Sequence, residues 1–375
     1  MASEQVTSPA PSPSPAAHII ELDGVRAIAV WLVILDHIID GWPVSAAVLQ
    51  MIPLPIRLLS RYGWLGVDLF FVLSGFLITG ILLRSRGKPH YFRNFYARRT
   101  FRIIPIYFLV IFVCWFFYGS AYNSYFLASL FFLANFYHAL GLQPPHGPSV
   151  FWSLAIEEHF YLFWPLLVRF LQRSWLTKAA FALCIGIPAL RFYAKSQGLD
   201  INSEIYPITW FRLDGLATGA LLAIWSQSRY ATQRNTLRLG GLLLVLFVVE
   251  TVGLIPLGIL QSGSVFRYNQ AQVFFAGFVA IVLGLRGTAW TALLRTGFFR
   301  LTGDVSYCLY LIHLSVGDAY QAIVRWSGWQ LELRIGELGA FGLRTVFLVV
   351  VSFALAMLSR RYIEQPVLRL KRHFE

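Results

Sequence analysis

Asp23-Gly24-Val25-Arg26-Ala27-Ile28-Ala29-Val30-Trp31-Leu32-Val33-Ile34-Leu35-Asp36-His37 is an apolar run with a cation at its entrance and an imidazole eleven residues further in. At ~100° per residue, eleven residues make about three helical turns, so Arg26 and His37 share one face, ~16 Å apart along the axis. A cation and an imidazole on one face of a membrane helix are costly and need a partner or a use. Two readings are open. One is a structural pair packed against other helices. The other is a reaction channel, with Arg26 gripping a group at the membrane surface and His37 moving a proton deeper in.

The surrounding composition makes this run one of many. Of 375 residues, 57% are hydrophobic, 16% aromatic and only 13% charged, with a mean hydropathy of +0.62. Such a chain is a polytopic helical membrane protein rather than a soluble domain. The net charge of +13 is then loop charge that sets orientation, not a nucleic-acid footprint. Cys114, Cys184 and Cys308 all lie inside apolar segments, so neither disulfides nor a thiolate metal site are expected.

Ten spans are expected, at about 24–41, 63–83, 103–119, 150–168, 179–194, 209–226, 239–256, 269–285, 304–324 and 340–359. The intervening stretches 84–102, 169–178, 229–238, 286–300 and 360–372 are rich in Lys and Arg. With Arg26 they place 22 of the 31 basic residues on one side, which the positive-inside rule makes cytoplasmic. The expectation is an all-α integral membrane protein with both termini cytoplasmic. A disordered Ser/Pro-rich tail (1–18) would precede a membrane domain (19–366) and a basic tail (367–375). Residues 122–140 are apolar enough for an eleventh span. Counting them would turn the basic 169–178 loop outward, so they read as a shallow or re-entrant segment with both ends outside, containing Asn135 as a candidate acceptor contact.

Three constellations carry chemistry. Arg98, Arg99 and Arg102 form Arg-Arg-x-x-Arg at a helix start, where Arg99 and Arg102 can clamp one phosphate; an ordinary positive-inside loop is the plainer account. Asp68 and His37 come to similar depth, and a carboxylate is the usual partner for holding a histidine tautomer. Ser153, Glu157 and Tyr161 make an i, i+4, i+8 stripe beside Trp152, which fits sugar hydroxyl recognition. Glu157, Glu158 and His159 splay over different faces, so no metal is expected. Ser74 lacks the elbow of a nucleophilic serine. Arg212 and Asp214 either pair with each other or line the same outer cavity, and Tyr310 and His313 share a face of the ninth span.

Collected, these stretches resemble the acyltransferase family 3 membrane enzymes, the bacterial O-acetylases of O-antigen, peptidoglycan and exopolysaccharide. The matching pieces run in order. They are Asp23-Gly24-x-Arg26-Ala27 with Arg-x10-His ending at His37, Gly66-Val67-Asp68-x-Phe70-Phe71-x-x-Ser74-Gly75, and Arg99-x-x-Arg102-Ile103-x-Pro105. Trp152-Ser153-Leu154-x-x-Glu157-x-x-Phe160-Tyr161, Arg212-x-Asp214, Ser306-Tyr307-x-Leu309-Tyr310-Leu311-x-His313 and Glu364-x-Pro366 follow. The resemblance implies a ten-span fold that moves an acyl group from cytoplasmic acyl-CoA, most simply acetyl-CoA, to a carbohydrate or glycolipid acceptor. It implies His37 as the base, Arg26 as its partner below and Arg99 and Arg102 as CoA-side cations, with Asp68 and Glu157 as supporting or acceptor-side carboxylates. It also implies the bacterial inner membrane. Asp36 beside His37 and His159 after the glutamate pair depart from the pattern. Some members carry a further esterase-like domain that this sequence lacks, so transfer is expected to be completed by the membrane domain or a separate partner. The rival reading is a transporter or flippase for an anionic solute or lipid-linked sugar, and a scaffold is a distant third. Inverted repeats with paired broken helices would favour transport, and none is visible.

Overall fold

A computed structural model describes residues 18–254 and 264–369. The expected N-terminal tail through residue 17, the end of the seventh span and residues 370–375 lie outside the described residues. Among the described residues the secondary structure is entirely helical. Ten long helices fall on the ten expected spans: α1 (Ile20–Asp40), α2 (Leu65–Ser85), α3 (Tyr91–Tyr118), α4 (Phe151–Phe170), α5 (Arg173–Ser196), α6 (Leu213–Ser226), α7 (Gln233–Leu254), α8 (Arg267–Gly284), α9 (Gly297–Ser327) and α10 (Leu331–Ser359). Five of them, α2, α3, α5, α7 and α10, are long and apolar enough to cross a membrane. The other five fall short for identifiable reasons. α1 carries Glu21, Asp23, Arg26, Asp36 and Asp40, α4 carries Glu157, Glu158 and Arg169, and α9 carries Arg300, Asp304, Asp318 and Arg325. α8 opens on Arg267, Asn269, Gln270 and Gln272, and α6 has 14 residues.

Cross-helix contacts fix the direction of each helix. α2 runs against α1, with Gly66 facing Ala29 and Val33 and the earlier Gly63 facing Leu32 and Asp36. α4 and α6 run with α2, through Ser74–Glu157, Thr79–Trp164, Asp68–Arg212 and Gly80–Gln227. α9 runs with α1, since Gly303 faces Asp23 at one end and Trp42 meets Asp318 at the other, and α3 runs with α9, since Tyr307 donates to the Ile103 carbonyl and Tyr118 to Asp318. The helices therefore alternate, and their ends gather at two poles. One pole holds the N-terminus of α1 and the stretches 84–98, 169–173, 226–238 and 285–300, which are the basic stretches. The far pole holds 40–64, 118–150, 196–212 and 318–340. Residues 122–140 enter and leave at the far pole as a helix (Asn123–Leu130) followed by short 3-10 turns.

Small residues let the central helices approach. At Gly75 on α2 and Gly219 on α6, a Cβ would collide with the backbone of the facing helix. This is the usual way helices associate where lipid removes the hydrophobic drive. Polar groups are thereby brought to the middle of the bundle, and helices such as α7 leave most of their apolar side chains outward.

Candidate active site

A cavity of about 550 Å3 opens at the basic pole. Arg26 from the first turns of α1 reaches it, as do Arg99 and Arg102, one turn apart on α3. Arg84 at the end of α2 and Arg286 just past α8 complete a wall of five arginines. Sequence reading missed Arg84, Arg286 and Gln227, because a basic residue at a helix end looks the same whether it orients the chain or faces a ligand. Arg98 lines neither this cavity nor the next one, since its neighbour on the helix points ~100° away.

Arg26, Arg99 and Arg102 also line an inner pocket of about 80 Å3 that leads deeper into the bundle. There the expected α4 stripe is realised. Tyr161 donates to Glu157 Oε2 at 2.6 Å and Ser74 to Oε1 at 3.0 Å. Ser153 and the Tyr310 hydroxyl lie 2.6 Å apart. Arg99 sits over the Tyr161 ring, 5.6 Å from its centroid. Among the described residues, none of the three arginines has a carboxylate within ion-pair distance. Three half-buried cations around one space form a candidate site for an anion.

Tyr310 closes the inner pocket, and its ring lies 5.9 Å from that of His313. His313 Nε2 is 3.1 Å from His37 Nδ1. His37 Nδ1 is also 2.8 Å from the Val33 carbonyl, and His313 Nδ1 is 2.7 Å from the Tyr310 carbonyl. A carbonyl only accepts, so each Nδ1 carries a proton. His313 Nε2 is then an acceptor facing His37, and the neutral His37 keeps a basic Nε2. The expected His37–Asp68 pair does not form. Asp68 is fully buried and bound by Arg212 at 2.8 Å, so the His37 Nδ1–H is shared between the Val33 carbonyl, which fixes the tautomer, and the ring of a second histidine. Sequence reading put His313 on one face with Tyr310 but gave it no partner, because a lone helix histidine carries no signal of what faces it.

The expected acceptor residues Asn135, Trp152, Arg212 and Asp214 are not in the walls of these cavities. Arg212 and Asp214 do not pair with each other. Arg212 takes Asp68 and Asp214 takes Arg191 at 2.7 Å, all four with no side-chain exposure. Arg212 is packed against Tyr268 and Tyr206, at 4.5 and 4.9 Å from their centroids. Asn135 is fully buried and donates to Thr209 at 2.9 Å. Trp152 lies between Tyr206 and Phe71. These residues tie α2, α5 and α6 together. Among the described residues, no three His, Cys, Asp or Glu side chains gather as a metal site.

The model of the acyltransferase domain family matches residues 19–361, and the chain belongs to that family. It is 30% identical over 382 residues to YrhL of Bacillus subtilis, whose peptidoglycan O-acetyltransferase name is provisional, covering 92% of this chain and 54% of that protein. It is 28% identical to the peptidoglycan O-acetyltransferase OatA of Listeria monocytogenes, covering 93% of this chain and 56% of that protein. It is 25% identical to the O-acetyltransferase OatA of Staphylococcus aureus, covering 92% and 56%. The chain thus spans about half the length of the curated relatives it matches. No solved structure gives a significant match.

Proposed function

We propose that the protein is a membrane-embedded O-acyltransferase that carries an acyl group, most simply acetyl, from cytoplasmic acyl-CoA to a hydroxyl of an envelope glycan. The observation that carries this reading is one continuous arrangement. Three arginines that have no ion-pair partner among the described residues are shared by the basic-pole cavity and an inner pocket, and that pocket ends at Tyr310, one ring away from the His37–His313 pair. In this reading all ten long helices cross the bacterial inner membrane, and the basic pole and both termini face the cytoplasm. The family match favours transfer over transport, and the names of the relatives point to a peptidoglycan-like acceptor.

Each group has a role its chemistry suits. Arg26, Arg99 and Arg102 hold the phosphates of CoA, with Arg84 and Arg286 at the mouth. The thioester end passes Glu157, Tyr161 and Tyr310 toward His37. His37 Nε2 takes the proton from the acceptor hydroxyl as its oxygen attacks the thioester carbonyl. The new C–O bond forms, the C–S bond breaks, and the CoA thiolate leaves and recovers the proton. His313 Nε2 accepts from His37 Nδ1 throughout, doing for the imidazolium what a carboxylate does in a triad, but with less electrostatic help.

The test is single-turnover transfer from radiolabelled acetyl-CoA to peptidoglycan fragments by purified protein. His37→Ala is expected to lose about 10²–10⁴-fold in rate while binding acetyl-CoA as well as wild type. Wild-type transfer by that variant would make the imidazole structural and end this mechanism.

A further inference from the structure

A third cavity, of about 930 Å3, is a groove in the side of the bundle between α3, α9 and α10. α3 and α10 both pack on α9 but hardly touch each other, so the groove opens sideways, where lipid lies. Its walls are apolar, with Leu109 and Val113 of α3 opposite Val351 and Leu355 of α10. The turn Arg360–Glu364 packs on α3 and closes the end at the basic pole. Along α9 the lining runs from Cys308 to Arg325. At ~1.5 Å per residue that is ~26 Å, against ~15 Å for one leaflet of a ~30 Å hydrocarbon core.

The far-pole mouth is the polar end. Asp318, Gln321 and Arg325 line it from one face of α9, at i, i+3 and i+7. The Asp318 carboxylate is already taken up. The Trp42 and His146 rings donate to one oxygen, and the Tyr118 hydroxyl and the Gly147 amide donate to the other. Arg325 is exposed, with no carboxylate within ion-pair distance among the described residues, so its charge is left to face a ligand. Trp326 and Trp329 stand exposed just beyond it, as tryptophans do at a membrane surface. The same mouth adjoins the reacting pair. It is lined by Ile312 and Val316, on either side of His313 in the chain, and by Gly41, whose amide donates to the His37 carbonyl at 3.0 Å.

We propose that this groove binds one lipid chain longer than a leaflet, a polyprenyl chain, whose phosphate meets Arg325 and whose attached sugar is the acceptor. This rests on the acyltransferase reading above. The length of the groove selects the occupant. The acyl chains of a phospholipid end at the bilayer midplane and leave the basic-pole half of the groove unfilled, and an unfilled lining forfeits its packing contacts. A polyprenyl chain fills both halves. With the phosphate at Arg325, the sugar that follows it is placed at the turn after His37, where the acyl group arrives.

The experiment uses the full chain in detergent micelles and reads bound lipid by native mass spectrometry. The probes are undecaprenyl phosphate, undecaprenol, which lacks the phosphate, farnesyl phosphate, which has the same headgroup on a short chain, and dioleoylphosphatidylglycerol. Undecaprenyl phosphate should bind about tenfold tighter than undecaprenol, the gain of one charge-assisted contact, and tighter than farnesyl phosphate. Arg325→Gln should erase the first preference. Leu355→Trp, which fills the basic-pole half of the groove from a lipid-exposed position, should erase the second. Neither residue lines the acetyl-CoA cavity, so acetyl-CoA binding stays the same and reports the fold. Equal binding of the long and short chains overturns the proposal. So does phosphatidylglycerol binding as tightly as undecaprenyl phosphate, which would assign the groove to ordinary phospholipid. The acceptor role is read from acetyl transfer to a disaccharide carried on undecaprenyl pyrophosphate and to the same disaccharide free. Faster transfer to the lipid-linked form, lost in Leu355→Trp, supports the role. Equal transfer to both overturns it and leaves the enzyme reading standing. If wild type binds acetyl-CoA but transfers acetyl to neither form nor to peptidoglycan fragments, the enzyme reading itself has failed, and the acceptor role goes with it.

Discussion

Two groups of arginines sit inside this bundle, one fully buried and one half-buried, and they are built in opposite ways. Arg191 and Arg212 are wrapped in aromatic rings and matched one to one with Asp214 and Asp68, with no side-chain exposure. Arg26, Arg99 and Arg102 gather around one space with no carboxylate in ion-pair range among the described residues. The first arrangement spends its charge on itself and fixes helices. The second holds charge in reserve, which a protein tolerates where a ligand brings the opposite sign. Burial of an arginine in a membrane protein is therefore a weak sign of function, and the useful observation is whether its counter-charge is present.

The contrast breaks most visibly at Asp68. Asp68→Ala leaves Arg212 buried and uncompensated, which costs about 3–5 kcal/mol. Little monodisperse protein should survive detergent extraction, and its melting temperature in scanning fluorimetry should fall steeply. Normal stability in that variant would mean that the paired network does not hold the fold.

A smaller effect is expected at His313, which shares the His37 Nδ1–H with the Val33 carbonyl and so orients the ring. His313→Ala should lower turnover by about 10–100-fold, the range for losing a group that orients a working histidine. His313→Gln keeps an acceptor near that position and should recover part of the loss. The alkaline and acidic limbs of the rate profile should move in the Ala variant, whereas a merely structural role would leave them in place.

The smallest effect is at the far-pole loop. Asp318 holds His146 at 2.7 Å, and this hydrogen bond raises the imidazole above its ordinary value of 6.5. A raised folded pKa stabilises below the ordinary value and loses that contribution as pH rises through the raised one. Tyr118, Trp42 and the Gly147 amide also bond Asp318, so the carboxylate stays held when His146 is neutral. The melting temperature should decline slightly from about pH 6 to about pH 8, and His146→Gln should flatten that slope. An equal slope in both proteins would remove His146 from the account.

Much of this was legible in the sequence for physical reasons. Apolar runs of membrane length and clustered basic residues marked ten helices and their alternation, because both signals are local. The α4 stripe was legible because Glu157 and Tyr161 are helical neighbours. What could not be read were pairings between distant segments. Asp68 was expected beside His37 from depth alone, but depth says nothing about rotation, and α2 turns Asp68 toward α6 instead. Arg212 and Asp214 are two residues apart and so point to different sides of their turn, where each meets another helix. The lateral groove gave no signal either, because its walls join residue 109 to residue 355.

In the proposed reading Arg26, Arg99 and Arg102, unpaired among the described residues, hold the phosphates of an acyl-CoA. The most direct measurement is coenzyme A binding by calorimetry at fixed salt, comparing wild type with the Arg99→Ala/Arg102→Ala double variant. Losing two charged contacts should weaken binding about a hundredfold or more, with the melting temperature unchanged because neither arginine carries a structural ion pair. Equal affinity in the two proteins would contradict the claim.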